Sequence, residues 1–295
     1  MSSLDPPTPR LSVSAVKISD DLGRPLELKR APHRIVSLVP SVTELICDLG
    51  AADRLVGVTR FCTEPAAVVA RLPRVGGTKT ADCEAIAALR PDLVVMNSEE
   101  NDRAHFTALE TAGLPIFVSY PTTVAAAARG IERLGRALGA ERIAQQLAQR
   151  IDAALAGLRA APPPPVRVFC PIWRKPWMSF NADTYCHDLL ASAGGVNPCA
   201  GAAVRYPVVE LEAVRAADPQ VVLLPDEPYP FAERHLETLA ALRDTSAWRD
   251  RRVHLVDGKA LSWYGRRTVT GLEEFHRLLH PRRAWPAADG GAART

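Results

Sequence analysis

The sequence predicts an α/β protein of two similar lobes, each with a central, mainly parallel sheet, joined by a long backbone helix. Three observations carry that expectation. The chain repeats itself loosely at a spacing of about 130 residues. Glu84-Ala-Ile-Ala-Ala-Leu-Arg-Pro91-Asp-Leu-Val-Val-Met96 returns as Glu212-Ala-Val-Arg-Ala-Ala-Asp-Pro219-Gln-Val-Val-Leu-Leu224. Short apolar runs alternate with helical stretches, the pattern of parallel strands covered on both faces. Between the two copies, Thr122 to Ala160 holds no proline and is rich in Ala, Leu, Arg, Glu and Gln, all strong helix formers.

Taken in order, residues 1–12 are rich in Pro and Ser and are expected to be disordered. Residues 13–28 alternate weakly around the turn signal Asp20-Asp-Leu-Gly23, which predicts a β-hairpin. It opens a first lobe over 13–121, with strands at 35–39, 55–58, 92–96 and 115–118 and helices at 41–49, 64–70, 82–89 and 102–112. A helical linker follows over 122–161, broken at Gly139. Its second helix, from Glu141, sets Ile143, Leu147, Ile151, Leu155 and Leu158 on one stripe. At 1.5 Å per residue that helix spans roughly 30 Å and is read as a spine tying the lobes together. Pro162-Pro-Pro-Pro165 ends it. A second lobe over 162–281 should repeat the first, since Arg167-Val-Phe-Cys170 matches Arg34-Ile-Val-Ser-Leu38 as a basic residue entering a strand. Residues 282–295 are expected to be a disordered tail.

An apolar fraction of 47% and a charged fraction of 23% are those of an ordinary globular protein. A net charge of +3 with no basic run beyond Arg251-Arg252 or Arg266-Arg267 argues against nucleic acid. No run of 18 apolar residues exists, so no membrane insertion is expected. The first ten residues lack a basic region and an apolar segment, which predicts a cytoplasmic location. Six cysteines without CxxC or zinc spacing read as reduced, mostly buried thiols, with Cys62 in a loop facing the cleft.

Two lobes make a cleft, and in open α/β sheets ligands bind where loops leave the carboxyl ends of strands. The first lobe offers Pro40-Ser41, Thr59-Arg60-Phe61-Cys62, Gly76-Gly-Thr-Lys79 and Asn97-Ser-Glu99-Glu100-Asn101. The second offers Trp173-Arg174-Lys175-Pro-Trp177, Pro225-Asp-Glu-Pro-Tyr-Pro230 and Lys259-Ala-Leu-Ser-Trp263-Tyr264. Three of the five tryptophans fall in these loops, where an indole serves best as a flat apolar wall. Enzyme signatures are missing: no GxSxG, GxxxxGK[ST], GxGxxG after the first strand, or HExxH. His276 and His280 stand one helical turn apart. With no third ligand in sight they are read as two exposed histidines, and no metal site is assigned.

Arg34-Ile-Val-Ser-Leu-Val-Pro-Ser-Val-Thr-Glu-Leu45, Gly76-Gly-Thr-Lys79 and Leu89-Arg-Pro-Asp-Leu-Val-Val95 resemble the helical-backbone class of substrate-binding proteins, over about residues 13–280. Its members deliver cobalamin, ferric siderophores or haem to ABC importers. The likeness is strongest to the cobalamin binders, although they carry a tryptophan near the position of Thr78. The resemblance implies a monomeric receptor without catalytic cofactor that holds a metal chelate, a corrinoid first, between lobes that move little. Phe61, Trp173, Trp177, Trp263 and Tyr264 would form apolar walls beside Pro40, Ser41 and Arg60. Thr59, Lys79, Arg174 and Arg266 would meet amide or phosphate groups. Family members dock to an ABC permease through one surface acid per lobe, here Glu99 or Glu100 and Glu233. A ferric siderophore or haem receptor, and a cytoplasmic corrinoid- or metal-handling chaperone or enzyme on the same fold, remain the alternatives.

Overall fold

The computed structural model describes residues 16–286. The expected N-terminal disorder over 1–12 and most of the expected tail lie outside them. A hairpin comes first, β1 (Val16–Ser19) antiparallel to β2 (Pro25–Leu28). Its turn is fixed by Asp20, whose carboxylate accepts from the backbone N–H of Leu22 and Arg24. The first sheet holds β3 (Ile35–Ser37), β4 (Leu55–Val58), β5 (Leu93–Asn97) and β6 (Ile116–Ser119), parallel and ordered β4-β3-β5-β6. Between these strands run α1 (Pro40–Asp48), α2 (Ala66–Val69), α3 (Cys83–Ala88) and α4 (Arg103–Thr111). The expected strand 35–39 ends at Ser37 because Pro40, its φ already set for a helix, opens α1. The expected helix 64–70 shrinks to one turn after Pro65.

The linker forms two helices, α5 (Val124–Leu138) and α6 (Glu141–Ala160). Thr123 caps α5 by accepting from the Ala126 N–H, and Gly139 ends it at φ 66°, a left-handed backbone that glycine adopts without strain. The spine helix α6 is reinforced by α5, which packs along it and on β1 of the first lobe and meets the second lobe, where its Val124 N–H donates to Asp188 at 2.7 Å.

The second lobe repeats the first. It contains β7 (Val166–Phe169), α7 (Tyr185–Ser192), β8 (Gly195–Val196), α8 (Leu211–Ala216), β9 (Val221–Pro225), a 3₁₀ segment over Glu233–Leu242, α9 (Ser246–Arg249), β10 (Val253–Val256), α10 (Gly258–Ser262) and α11 (Arg266–Leu279). Its parallel sheet is ordered β10-β9-β7-β8, which is the order of the first sheet when matching strands are compared. The repeated motif also has a repeated job. The Arg34 guanidinium donates to the Leu89 carbonyl at the end of α3, and Arg167 donates to the Ala217 and Asp218 carbonyls at the end of α8. A cation at a helix C-terminus satisfies orphaned carbonyls and complements the helix dipole. Arg90 and Asp218, each before the repeated proline, share a φ of 45°.

Strand alternation divides the core. Leu93 and Val95 of β5 point to the inner face and Val94 and Met96 to the outer; on β9, Val221 and Leu223 point inward and Val222 and Leu224 outward. The inner faces of both sheets and the α5–α6 pair form one continuous core, running from Ile35 through Ile131 and Ile151 to Phe275. Each outer face has its own satellite core. His276 and His280, expected at the surface, are buried, 2% and 5% exposed, with His280 Nε2 3.1 Å from the Ala193 carbonyl and Trp285 edge-on to His276. Their helix face is covered by the chain beyond α11.

A clamp across the lobes adds to this core. Glu44 of α1, 3% exposed, accepts from Arg267 at 2.6 and 3.0 Å and from Arg266 at 2.5 Å. Burial alone would raise its pKa, but the hydrogen bonds and charges of the two arginines outweigh burial and hold it below the ordinary carboxylate value. Gly265, at φ 128°, lets the chain turn from Tyr264 into α11 and so places those arginines.

Two measurements check this architecture. A Cβ on Gly135 would lie 2.2 Å from that of Ala144 in the partner helix. Gly135→Ala, which would favour an isolated helix, is therefore expected to destabilise the protein by about 1–3 kcal/mol in denaturant unfolding. Glu44→Gln should cost about 1–2 kcal/mol at pH 7, the arginines' water contact holding the loss below that of a fully buried pair. Because the folded pKa is depressed, this stabilisation is complete above the unfolded value and disappears as pH falls through the folded one. The gap between wild type and Glu44→Gln should narrow progressively in unfolding measured at pH values below the ordinary carboxylate range.

Candidate functional site

Loops from the carboxyl ends of the strands meet in a cleft between the lobes, with a cavity of ≈ 530 Å³. That volume is in the range of small-molecule sites. The first lobe contributes Pro40 after β3, Asn97, Glu99 and Glu100 after β5, Pro121 after β6, and Thr78 and Lys79 from the loop before α3. The second contributes Ile172, Trp173, Met178 and Phe180 after β7, Thr184 to Cys186 at the start of α7, Tyr206, Glu227 and Pro228 after β9, and Leu261 to Tyr264 after β10.

The walls are held by bonds that cross the lobes. Ser119 and Tyr264 share a hydrogen bond of 2.6 Å, and Lys259 pairs with Glu64 at 3.0 Å. Arg205 of the second lobe reaches Glu99 of the first at 2.9 Å and also donates to the Tyr120 hydroxyl. Tyr206 donates to Glu99 at 2.8 Å. Trp263 presents its ring to the cavity while its Nε1 donates to Glu227 at 2.6 Å.

Charge in the cleft is mostly negative. The Lys79 ammonium donates to the Glu99 carbonyl at 2.7 Å, and Arg205 answers the Glu99 carboxylate. Glu100 is pushed up to about 7, first by burial, then by the charges of Glu227 and Glu99, against Lys79. Burial also raises Glu227, partly offset by the Trp263 hydrogen bond. Burial pushes the Cys186 thiol up to about 12 and lifts the hydroxyls of Tyr185, Tyr206 and Tyr264 well above the usual phenol range.

Among the residues expected at the site, Pro40, Lys79, Trp173, Trp263 and Tyr264 line the cavity. Others do not. Ser41 is buried within the first turn of α1. Thr59 is buried against Cys62, which is itself held by Thr43 and does not line the cleft. Arg74 donates to the Thr59 and Cys62 carbonyls and pins that loop, leaving Arg60 and Phe61 in solvent, the guanidinium 4.8 Å over a ring that is 50% exposed. Arg174 lies 3.5 Å from the Tyr229 hydroxyl, and Arg266 serves the Glu44 clamp.

Trp173 and Trp177 part company. Backbone bonds between Trp173 and Met178 fold the loop into a tight hairpin. Trp173 lies on the cavity side, and Trp177 stacks on Phe231 against the outer core, centroids 5.9 Å apart. Glu99 and Glu100, expected as surface docking acids, face the cavity instead, because the Asn97 side chain accepts from both of their backbone N–H groups and folds the segment inward. Glu233 is exposed at the start of the 3₁₀ segment. All six cysteines are free, and Cys186 is the one that lines the cleft.

Sequence reasoning missed Tyr206, Met178, Phe180 and the start of α7. Tyr206 arrives because residues 205–208 pair with 178–181 through backbone hydrogen bonds, a tertiary contact with no local signal. Glu227 and Pro228 were within reach, lying in a loop at a strand's carboxyl end.

A family model described as periplasmic binding protein matches residues 35–260. The vitamin B12-binding protein of Vibrio cholerae serotype O1 is 28% identical over 223 residues, 73% of this chain and 80% of that protein. That of Yersinia pestis (strain Pestoides F) is 30% identical over 197 residues, 66% and 70%. Among solved structures, the periplasmic vitamin B12 binding protein BtuF of Vibrio cholerae superposes with a TM-score of 0.75 at 26% identity, covering 85% of this chain and 98% of that one. The periplasmic heme-binding protein RhuT from Roseiflexus sp. RS-1 superposes with 0.73 at 27%, covering 84% and 98%. These findings overturn the cytoplasmic location expected from the first ten residues, since the family and these solved relatives are periplasmic. The match over most of the chain and the shared two-lobed fold make this protein a member of the periplasmic binding protein family.

Proposed function

We propose that this chain is a non-enzymatic receptor that captures cobalamin or a related corrinoid in the inter-lobe cleft for ABC-type uptake. The observation that carries the choice of ligand is the chemistry of the cleft wall. Its faces are apolar and aromatic, and its charged groups are three carboxyls, Glu99, Glu100 and Glu227, against the one ammonium of Lys79 among the described residues. Corrinoids present a broad apolar ring edged with carboxamides, which carboxyl groups can accept from. Haem presents two carboxylates and needs an axial ligand, which proteins supply from His, Cys, Met or Tyr. Among the described residues no histidine lines the cleft, and Met178, Cys186 and the tyrosines are the groups there that could ligate haem iron. The vitamin B12-binding relatives support the same choice, while the heme-binding ones keep haem as the second reading. Exposed Glu233 supports a permease contact from the second lobe.

Titration with cyanocobalamin, cobinamide, hemin and ferric siderophores, followed by tryptophan fluorescence and calorimetry, tests this reading. Saturable one-to-one binding of a corrinoid with little salt dependence is expected. Tight, salt-sensitive hemin binding with none of the corrinoid would overturn it. Chemical turnover of the corrinoid would favour the enzyme alternative.

The two tryptophans of the β7 loop should separate in the same assay. Trp173→Ala is expected to weaken corrinoid binding by about 1–2 kcal/mol with little change in stability. Trp177→Ala should lower unfolding free energy by about 2–3 kcal/mol and leave affinity unchanged, because its ring packs away from the cavity.

A further inference from the structure

Glu100 stands out among the groups that line the cleft. Its backbone N–H is held by Asn97, yet its carboxyl has no hydrogen-bond partner among the described residues. Its neighbour Glu99 is engaged at Oε1 by both Arg205 and Tyr206. From the opposite lobe Glu227 enters the same cavity, oriented by the Trp263 indole. An unpartnered carboxyl inside a binding cavity is a vacancy for a donor, since leaving it unsatisfied when a ligand expels water costs free energy. We propose that Glu100, backed by Glu227, is the specificity-determining group of the cleft: it accepts N–H from the peripheral carboxamides of the ligand and rejects chelates whose periphery carries carboxylates. This inference rests on the corrinoid reading and says which feature of the corrinoid is read.

The electrostatics agree. Lys79 and Glu99 of the first lobe, Glu227 of the second, and the buried Tyr264 and Cys62 are the titratable groups around Glu100. Lys259, Asp226 and Asp257 surround Glu227. Among the described residues Lys79 is the one cation lining the cavity, and it is tied to the Glu99 carbonyl. An added ligand carboxylate therefore meets negative charge on both sides. Because Glu100 sits near 7, that repulsion grows as pH rises and relaxes as pH falls, when a protonated carboxyl can donate to the anion.

The test uses cyanocobalamin and derivatives in which one peripheral amide is hydrolysed to a carboxylate, which stays ionised from pH 6 to 8.5. Affinities for parent and derivatives are measured by calorimetry at both pH values, with wild type, Glu100→Gln and Glu227→Gln, folding being checked by circular dichroism. In the wild type, at least one derivative should bind about tenfold more weakly than the parent at pH 8.5, and the ratio should shrink at pH 6. In Glu100→Gln the ratio should be smaller and flat with pH. Derivatives that all match the parent in the wild type, or a ratio unaltered by Glu100→Gln, would overturn the proposal. The wild-type pH series decides the matter if the variant does not fold. Failure of folded wild type to bind cyanocobalamin at all would instead remove the corrinoid reading on which the proposal stands.

Discussion

The structure depends on one constraint: the inner faces of both sheets share a single hydrophobic core with the α5–α6 pair. Opening the lobes would return part of that apolar surface to water, at roughly 25 cal/mol for each Å² exposed. The close approach of Gly135 to Ala144 keeps the two helices in register, and the Glu44–Arg266–Arg267 clamp fixes α1 of one lobe to α11 of the other. A receptor built this way meets its ligand with the cleft already formed, so little binding free energy is lost in ordering it.

The same constraint selects where chemistry can appear. With both sheets turned inward on the helical pair, their carboxyl-terminal loops converge on the cleft, and neither lobe completes it alone. The cross-lobe bonds of Ser119 with Tyr264 and of Glu99 with Arg205 and Tyr206 form its rim. Polar groups that are not consumed by these ties, above all Glu100, are left to face whatever enters.

Much of the fold was legible in the sequence because it rests on local chemistry. The repeat around Pro91 and Pro219 marks equivalent helix-to-strand turns, down to the arginine that caps each helix. Gly139 marked the break between the two linker helices because a left-handed backbone was required there. The site was legible at the level of loops and not of side chains. Trp173 and Trp177 share a loop, and a tight hairpin sends them to opposite sides. Arg60 and Phe61 read as cleft residues until Arg74 pins their loop outward. Glu99 and Glu100 read as surface charge, since the turn made by the Asn97 side chain is what aims them inward. Tyr206 depends on pairing between segments distant in sequence, which no local pattern announces.

The central claim is that a corrinoid sits between two lobes already in place. Crystals of the protein grown with cyanocobalamin and measured at the cobalt absorption edge test it directly. The account predicts a single anomalous peak in the cleft, between Lys79 and Glu100 on one side and Trp173 and Trp263 on the other, with the lobes oriented as described above. A cobalt peak outside the cleft, or lobes rotated apart around it, would contradict the account.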